Sequence, residues 1–88
     1  MSWDCELSEE AEEDLKSLPT DVKRKVARIL DQMADNPFAG DVKALHGKEW
    51  RGVFRRRIGD YRIIFVPIEK NKTFTIVNIL PRSKGTYR

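Results

Sequence analysis

The hydrophobic period of this chain changes between Met33 and Val53, and that change decides what it can fold into. From Ala11 to Met33 apolar residues recur at helical spacing; from Val53 onward they alternate. A helical stripe and an alternating strand face each need a partner surface to be buried. Helices first and hairpin-linked strands later therefore predict an α+β domain, with an N-terminal helical hairpin packed on one face of a small antiparallel sheet. The 88 residues suffice for one such domain, 1–88, with a thin core to which a partner can add stability.

Trp3 to Leu7 alternates well enough for a short first strand. Ser8 is suited to cap a first helix, with Glu9 and Glu10 where the helix dipole favours anions. Ala11, Leu15 and Leu18 follow at helical spacing until Pro19. Thr20 or Asp21 is expected to cap a second helix whose stripe is Val22, Val26, Ile29, Leu30 and Met33, and Asn36-Pro37 stops it. Residues 38–52 read as a loop. Val53 to Ile58 and Tyr61 to Val66 read as strands joined by a tight Gly59-Asp60 turn, and Thr73 to Leu80 as a third strand.

Charge is unevenly spread. Residues 1–44 carry 11 acidic and 6 basic side chains, net −5, and residues 45–88 carry 3 and 11, net +8. Such asymmetry suits a surface that meets polyanions. Alternation in Phe54-Arg55-Arg56-Arg57-Ile58 puts Arg55 and Arg57 on one face and Phe54, Arg56 and Ile58 on the other, with Phe54 and Ile58 as core residues and Arg56 expected to snorkel at the sheet edge. Arg62 on the returning strand and Arg82 after the third are expected to join Arg55 and Arg57 on one open face, with almost no acids nearby to pair with them.

Other conspicuous residues receive ordinary assignments. His46 is expected at the surface, Trp3 and Trp50 in the core or at its rim, and Cys5 as an inert buried thiol. The run Glu9, Glu10, Glu12, Glu13 and Asp14 reads as a solvated helix face. The chain has one histidine and one cysteine, too few for a zinc cage, so no metal and no cofactor are expected. A single cysteine fits a reducing cytoplasm. Met1-Ser2-Trp3-Asp4 lacks the pattern of a signal peptide, and no apolar run approaches the roughly 20 residues of a membrane span.

The ordered set Leu7-Ser8-Glu9-Glu10-Ala11, Asp35-Asn36-Pro37, Lys43-Ala44-Leu45-His46-Gly47, Phe54 through Phe65, and Ile79-Leu80-Pro81-Arg82 to Tyr87-Arg88 resembles the RelE/ParE superfamily of toxins from toxin–antitoxin pairs. The hairpin is the most specific part, being similar to the pattern W-R-x-R-x-G-D-Y-R-I-x-Y. The resemblance implies two helices against an antiparallel sheet, a cytoplasmic location and a cognate antitoxin as partner. It implies one of two activities: cleavage of mRNA on the ribosome, as in RelE-like members, or inhibition of DNA gyrase without cleavage, as in ParE-like members. A degenerate relative that only binds its antitoxin is a third reading.

The residues favour the first. By resemblance, Arg62, Arg82 and Tyr87 take the catalytic positions. Arg55 and Arg57, with Lys84 and Arg88 in the tail, would bind RNA. RNA carries its own nucleophile in the 2′-hydroxyl, so no metal is needed to supply one. A free tyrosine ionises near pH ~10, and neighbouring guanidinium groups lower that value. The chain departs from the family pattern at Pro81, where many relatives have histidine, and at Arg56, a position usually apolar. Glu49 and His46 are loop candidates for the proton donor.

Overall fold

The computed structural model describes residues 3–81. Its first strand, β1 (Asp4–Leu7), leads straight into α1 (Glu9–Ser17). Ser8 makes that handover. Its Oγ accepts the Ala11 N–H at 3.0 Å, as an N-cap does, and its O–H donates to the Val77 carbonyl at 2.7 Å. Leu18 closes α1, its N–H reaching the Leu15 carbonyl. Neither Thr20 nor Asp21 caps the second helix, α2 (Thr20–Asp35). The N-cap is Pro19, which has no acceptor side chain, and Thr20 is already helical. Asp21 remains in the first turn, where its charge favours the helix dipole.

The loop expected over residues 38–52 contains a further strand, β2 (Val42–Ala44), and a 3₁₀ turn over Lys48–Trp50. Three residues are too short a run for alternation to register. The long hairpin follows as β3 (Phe54–Ile58) and β4 (Tyr61–Ile68). Gly59, at φ +53°, opens its two-residue turn, the position where a type II′ turn takes glycine. β4 runs past the expected Val66 and includes Pro67. Pairing with β3 stops at Phe54↔Phe65, so Pro67 costs no hydrogen bond to that strand. The last strand is β5 (Thr73–Pro81).

The sheet order is β1-β5-β4-β3-β2. All neighbours are antiparallel except β1 and β5, which run parallel. A parallel neighbour needs a long return connection, and here it is nearly the whole chain. Both helices lie on one face. Ala11, Val26, Met33, Ile63, Phe65, Phe74 and Ile76 are fully buried between the layers. Trp3, Phe38, Phe54, Phe65 and Phe74 extend through the core as a ladder of aromatic contacts 5.6–6.4 Å apart. Cys5 is exposed rather than buried, because β1 is an edge strand. Partial burial and, second, Glu6 push its thiol pKa up. Among the described residues no helix is long and apolar enough to cross a membrane.

β5 carries the one irregularity of the ladder. Ile64 pairs with Asn78 and Phe65 with Ile76, so Val77 is extra. The bulge lies where β1 ends, at Leu7↔Ile76. From there α1 covers the edge. Asp14 accepts the Ile79 N–H at 2.9 Å and the Asn78 side-chain amide at 3.3 Å. Asp14 is therefore not part of a purely solvated acidic face. Asp14→Ala should lower unfolding free energy by about 1–2 kcal/mol, since it strips a partly buried N–H of its acceptor. Glu13→Ala, at an exposed neighbour, should stay within about 0.5 kcal/mol. Urea unfolding of the two variants beside the parent measures the difference.

Candidate nucleic-acid interface

Strand alternation distributes the hairpin arginines as expected. Phe54, Ile58, Ile63 and Phe65 face the helices, so Arg55, Arg57 and Arg62 face the open side. Arg57 and Arg62 are direct cross-strand neighbours. The Arg57 N–H points the other way, to the Asp41 carbonyl at 3.0 Å. The Arg57–Arg62 pair is therefore a non-hydrogen-bonded one, in which Cα atoms approach to about 4.5 Å and side chains stand close. Two like charges placed so are unfavourable unless an anion joins them.

An acid that the sequence reading did not count lies at one side of this row. Asp41 immediately precedes β2. The Arg55 Nη1 donates to its carbonyl at 3.1 Å and to its Oδ1 at 3.2 Å, and the Arg57 Nε lies 3.9 Å from its Oδ2. The side chain of Arg55 is 11% exposed, that of Arg57 39% and that of Asp41 50%. Arg55 is thus largely spent on Asp41, whereas Arg57 is open and only loosely held. Arg62 has no carboxylate partner among the described residues. The Nε–H groups of Arg57 and Arg62 are covered and lack a hydrogen-bond acceptor among the described residues, as does that of Arg56.

Arg56 follows the expected alternation and, as expected of an arginine on that face, reaches the sheet edge. It leaves the helix-side face at the sheet edge, and its Nη1 donates to the Ala39 carbonyl at 2.7 Å. Its guanidinium packs on Gly40, where φ is +87° and a Cβ would collide with it. Three consecutive arginines therefore grip one short strap: Arg56 takes Ala39 from one face, and Arg55 and Arg57 take Asp41 from the other. Little in the sequence signals this strap, since it depends on the short β2 being docked on β3.

Beside the cations the open face is apolar. Ile64, 1% exposed, lies between Arg55 and Asn78 in the register, and Leu80 lies beside Arg62. Arginine stems cover apolar surface in this way. His46 and Glu49 are exposed on the loop after β2, and Trp50 is half-buried. Arg82, Lys84, Tyr87 and Arg88 lie outside the described residues.

Comparison with known proteins gives a consistent set. The family model described as "ParE toxin of type II toxin-antitoxin system, parDE" matches residues 5–85. No curated protein matches the chain. Among solved structures, a chain of the archaeal RelE–RelB complex from Pyrococcus horikoshii is 27% identical. That likeness has a TM-score of 0.81 and covers 97% of this chain and 100% of the other. A chain of the RelBE2 toxin–antitoxin complex from Mycobacterium tuberculosis superposes with a TM-score of 0.82 at 22% identity, over 93% of this chain and 100% of that one. The isolated E. coli RelE toxin gives 0.76 at 11% identity, over 97% and 89%.

The hydrogen bond from Arg55, backed by the charges of Arg55, Arg57 and Lys43, holds the Asp41 carboxyl below its ordinary 3.8. A carboxylate whose folded-state pKa is lowered stabilises the fold fully above its unfolded value, about pH 4, and loses that contribution as pH falls through the folded value. Asp41→Asn should therefore be less stable than the parent at neutral pH. The gap should narrow as acid is added below about pH 4. Urea midpoints measured against pH check both the sign and the window.

Proposed function

Because the chain belongs to the ParE toxin family of type II toxin–antitoxin systems, we propose that it is a toxin that cuts mRNA on the ribosome and is held in check by a cognate antitoxin. The observation that carries this reading is the Arg57–Arg62 pair: two adjacent guanidinium groups on an open face, one with no acid partner among the described residues, beside apolar Ile64 and Leu80. A phosphodiester supplies the anion such a pair lacks, and guanidinium forks match its oxygens two at a time.

In this mechanism the RNA 2′-oxygen attacks the adjacent phosphorus and the bond to the 5′-oxygen breaks. Tyr87 takes the 2′-hydroxyl proton. Arg62 and Arg82 hold the phosphate as charge builds on its oxygens, Arg57 reinforces them, and the leaving 5′-oxygen takes a proton from water. Arg55, Lys84 and Arg88 add positive potential along the strand. The products are a 2′,3′-cyclic phosphate and a 5′-hydroxyl, and no step calls on a metal. The antitoxin is expected to present acidic and apolar surface to the basic half, in keeping with the toxin–antitoxin complexes among the similar structures.

The family model's own name favours a second reading, gyrase inhibition. Induction separates the two: translation stops first if mRNA is cut, replication first if gyrase is blocked.

Arg62→Ala and Arg82→Ala should each slow cleavage on programmed ribosomes by on the order of a hundredfold to a thousandfold, the usual loss on removing a donor to a developing oxyanion. Circular dichroism should show the fold retained, and lysine at position 62 should restore only part of the rate. A large loss in Tyr87→Phe assigns the hydroxyl to proton transfer; near-normal activity leaves only stacking. A message with 2′-deoxyribose at the scissile position should resist cutting. Wild-type cleavage by a folded Arg62→Ala, Arg82→Ala double variant would remove the proposed site. Co-expression of the neighbouring antitoxin should relieve growth arrest.

A further inference from the structure

We propose that Asp41 is the internal counter-anion of the Arg57–Arg62 site, and that an incoming phosphate must displace it from Arg57. The inference rests on the reading of the open face as a phosphate surface. Across that face the order is Asp41, Arg57, Arg62, Leu80, so Arg57 stands between an attracting carboxylate and a repelling guanidinium. With no ligand present, Asp41 offsets the repulsion between the two arginines. With a phosphate between them, the same carboxylate faces a second anion.

The two arms of Asp41 are unequal in a way that suits this role. Its Oδ1 is hydrogen-bonded to the covered Arg55 at 3.2 Å, which fixes the carboxylate in place. Its Oδ2 stands 3.9 Å from the Arg57 Nε, beyond hydrogen-bond length. Displacement therefore breaks no close contact with Arg57, while the contact with Arg55 keeps Asp41 anchored. As a carboxylate Asp41 is charged at neutral pH, so it is a permanent competitor. Lys43 is the other cation beside it, and its position next to Arg55 in the register leaves Arg57 and Arg62 as the exchange site. Asp41 is thus an affinity-setting residue: it stabilises the free protein and weakens its hold on polyanions.

The test is binding of a short 2′-O-methyl oligonucleotide, which cannot be cut, followed by fluorescence anisotropy over a range of salt. Asp41→Asn keeps an oxygen for Arg55 and removes the charge. It should bind about threefold to tenfold more tightly than the parent. Its log–log salt dependence should be steeper by up to about one. Asp41→Glu, which keeps the charge, should stay near the parent. Asp41→Ser, with a short acceptor for Arg55, is a second neutral variant and should follow Asp41→Asn, so a folding defect in one does not end the test. Thermal melts establish that each variant is folded.

Equal or weaker binding by the folded neutral variants overturns the counter-anion. So does an Asp41→Glu variant as tight as Asp41→Asn, since charge would then not be the cause. Arg62→Ala is the separate control on the underlying reading. Parent affinity that does not depend on Arg62 overturns the phosphate face and the counter-anion with it. Arg62-dependent affinity that Asp41→Asn fails to raise overturns the counter-anion alone.

Discussion

The outer edge of β5 has two successive partners, and the layout of the molecule follows from the exchange between them. β1 pairs with the strand as far as Ile76, and α1 then takes over through Ser8 and Asp14. A strand that kept β1 along its whole length would leave α1 no edge to dock against. A strand with no partner there would present bare N–H and C=O groups to other chains. The handover anchors the start of the helical hairpin, and the apolar stripe of α2 closes the core above Ile63, Phe65 and Phe74. Among the described residues no helix covers the opposite face of the sheet.

On that face the protein accepts an electrostatic cost. Arg57 and Arg62 are set side by side at a position where side chains approach closely, and among the described residues only Arg57 of the two has an acid near it. Local breaches of favourable pairing of this kind are what functional surfaces look like when the rest of a fold is consistent. The neighbouring Arg55 and Arg56 behave differently despite identical chemistry. One is covered and bonded to Asp41; the other is drawn round the sheet edge to Ala39. A run of three arginines thus divides into two structural clamps and one exposed ligand-binding candidate, by strand parity and by what lies at the edge.

The elements with a strong period were legible in the sequence. The α2 stripe, the hairpin centred on Gly59-Asp60 and the facing of Arg55, Arg57 and Arg62 follow from spacing alone, because core burial enforces the period. What escaped was set by long-range pairing. β2 has three residues and exists because β3 offers it an edge. The parallel β1–β5 pair is invisible locally, since its partners lie 69 residues apart in the case of Asp4 and Thr73. Asp41 and Asp14 look like surface acids until β2 and α1 are docked. The same holds for Arg56, whose neighbours at Ala39 and Gly40 come from the far side of a loop. The facing of the hairpin cations Arg55, Arg57 and Arg62 was therefore legible, and the carboxylate beside them was not.

The extra residue Val77 works as a phase shifter. On the first half of β5, Phe74 and Ile76 face the core; beyond Val77 the buried member is Ile79, and Asn78 and Leu80 take the other face. An uninterrupted strand would carry Asn78 into the apolar interior and turn Ile79 outward. One inserted residue thus lets a single strand serve two registers of the same sheet: its first half matched to β1, its second to α1 and to the row that holds Arg62. Evolutionary change in the length of this strand is confined accordingly. Loss of Val77 would leave a regular ladder with Asn78 still outside and Ile79 still inside, whereas one further inserted residue would exchange inside for outside over Asn78–Pro81; the polar connection before Thr73 can gain or lose residues without altering which side chains meet the cations.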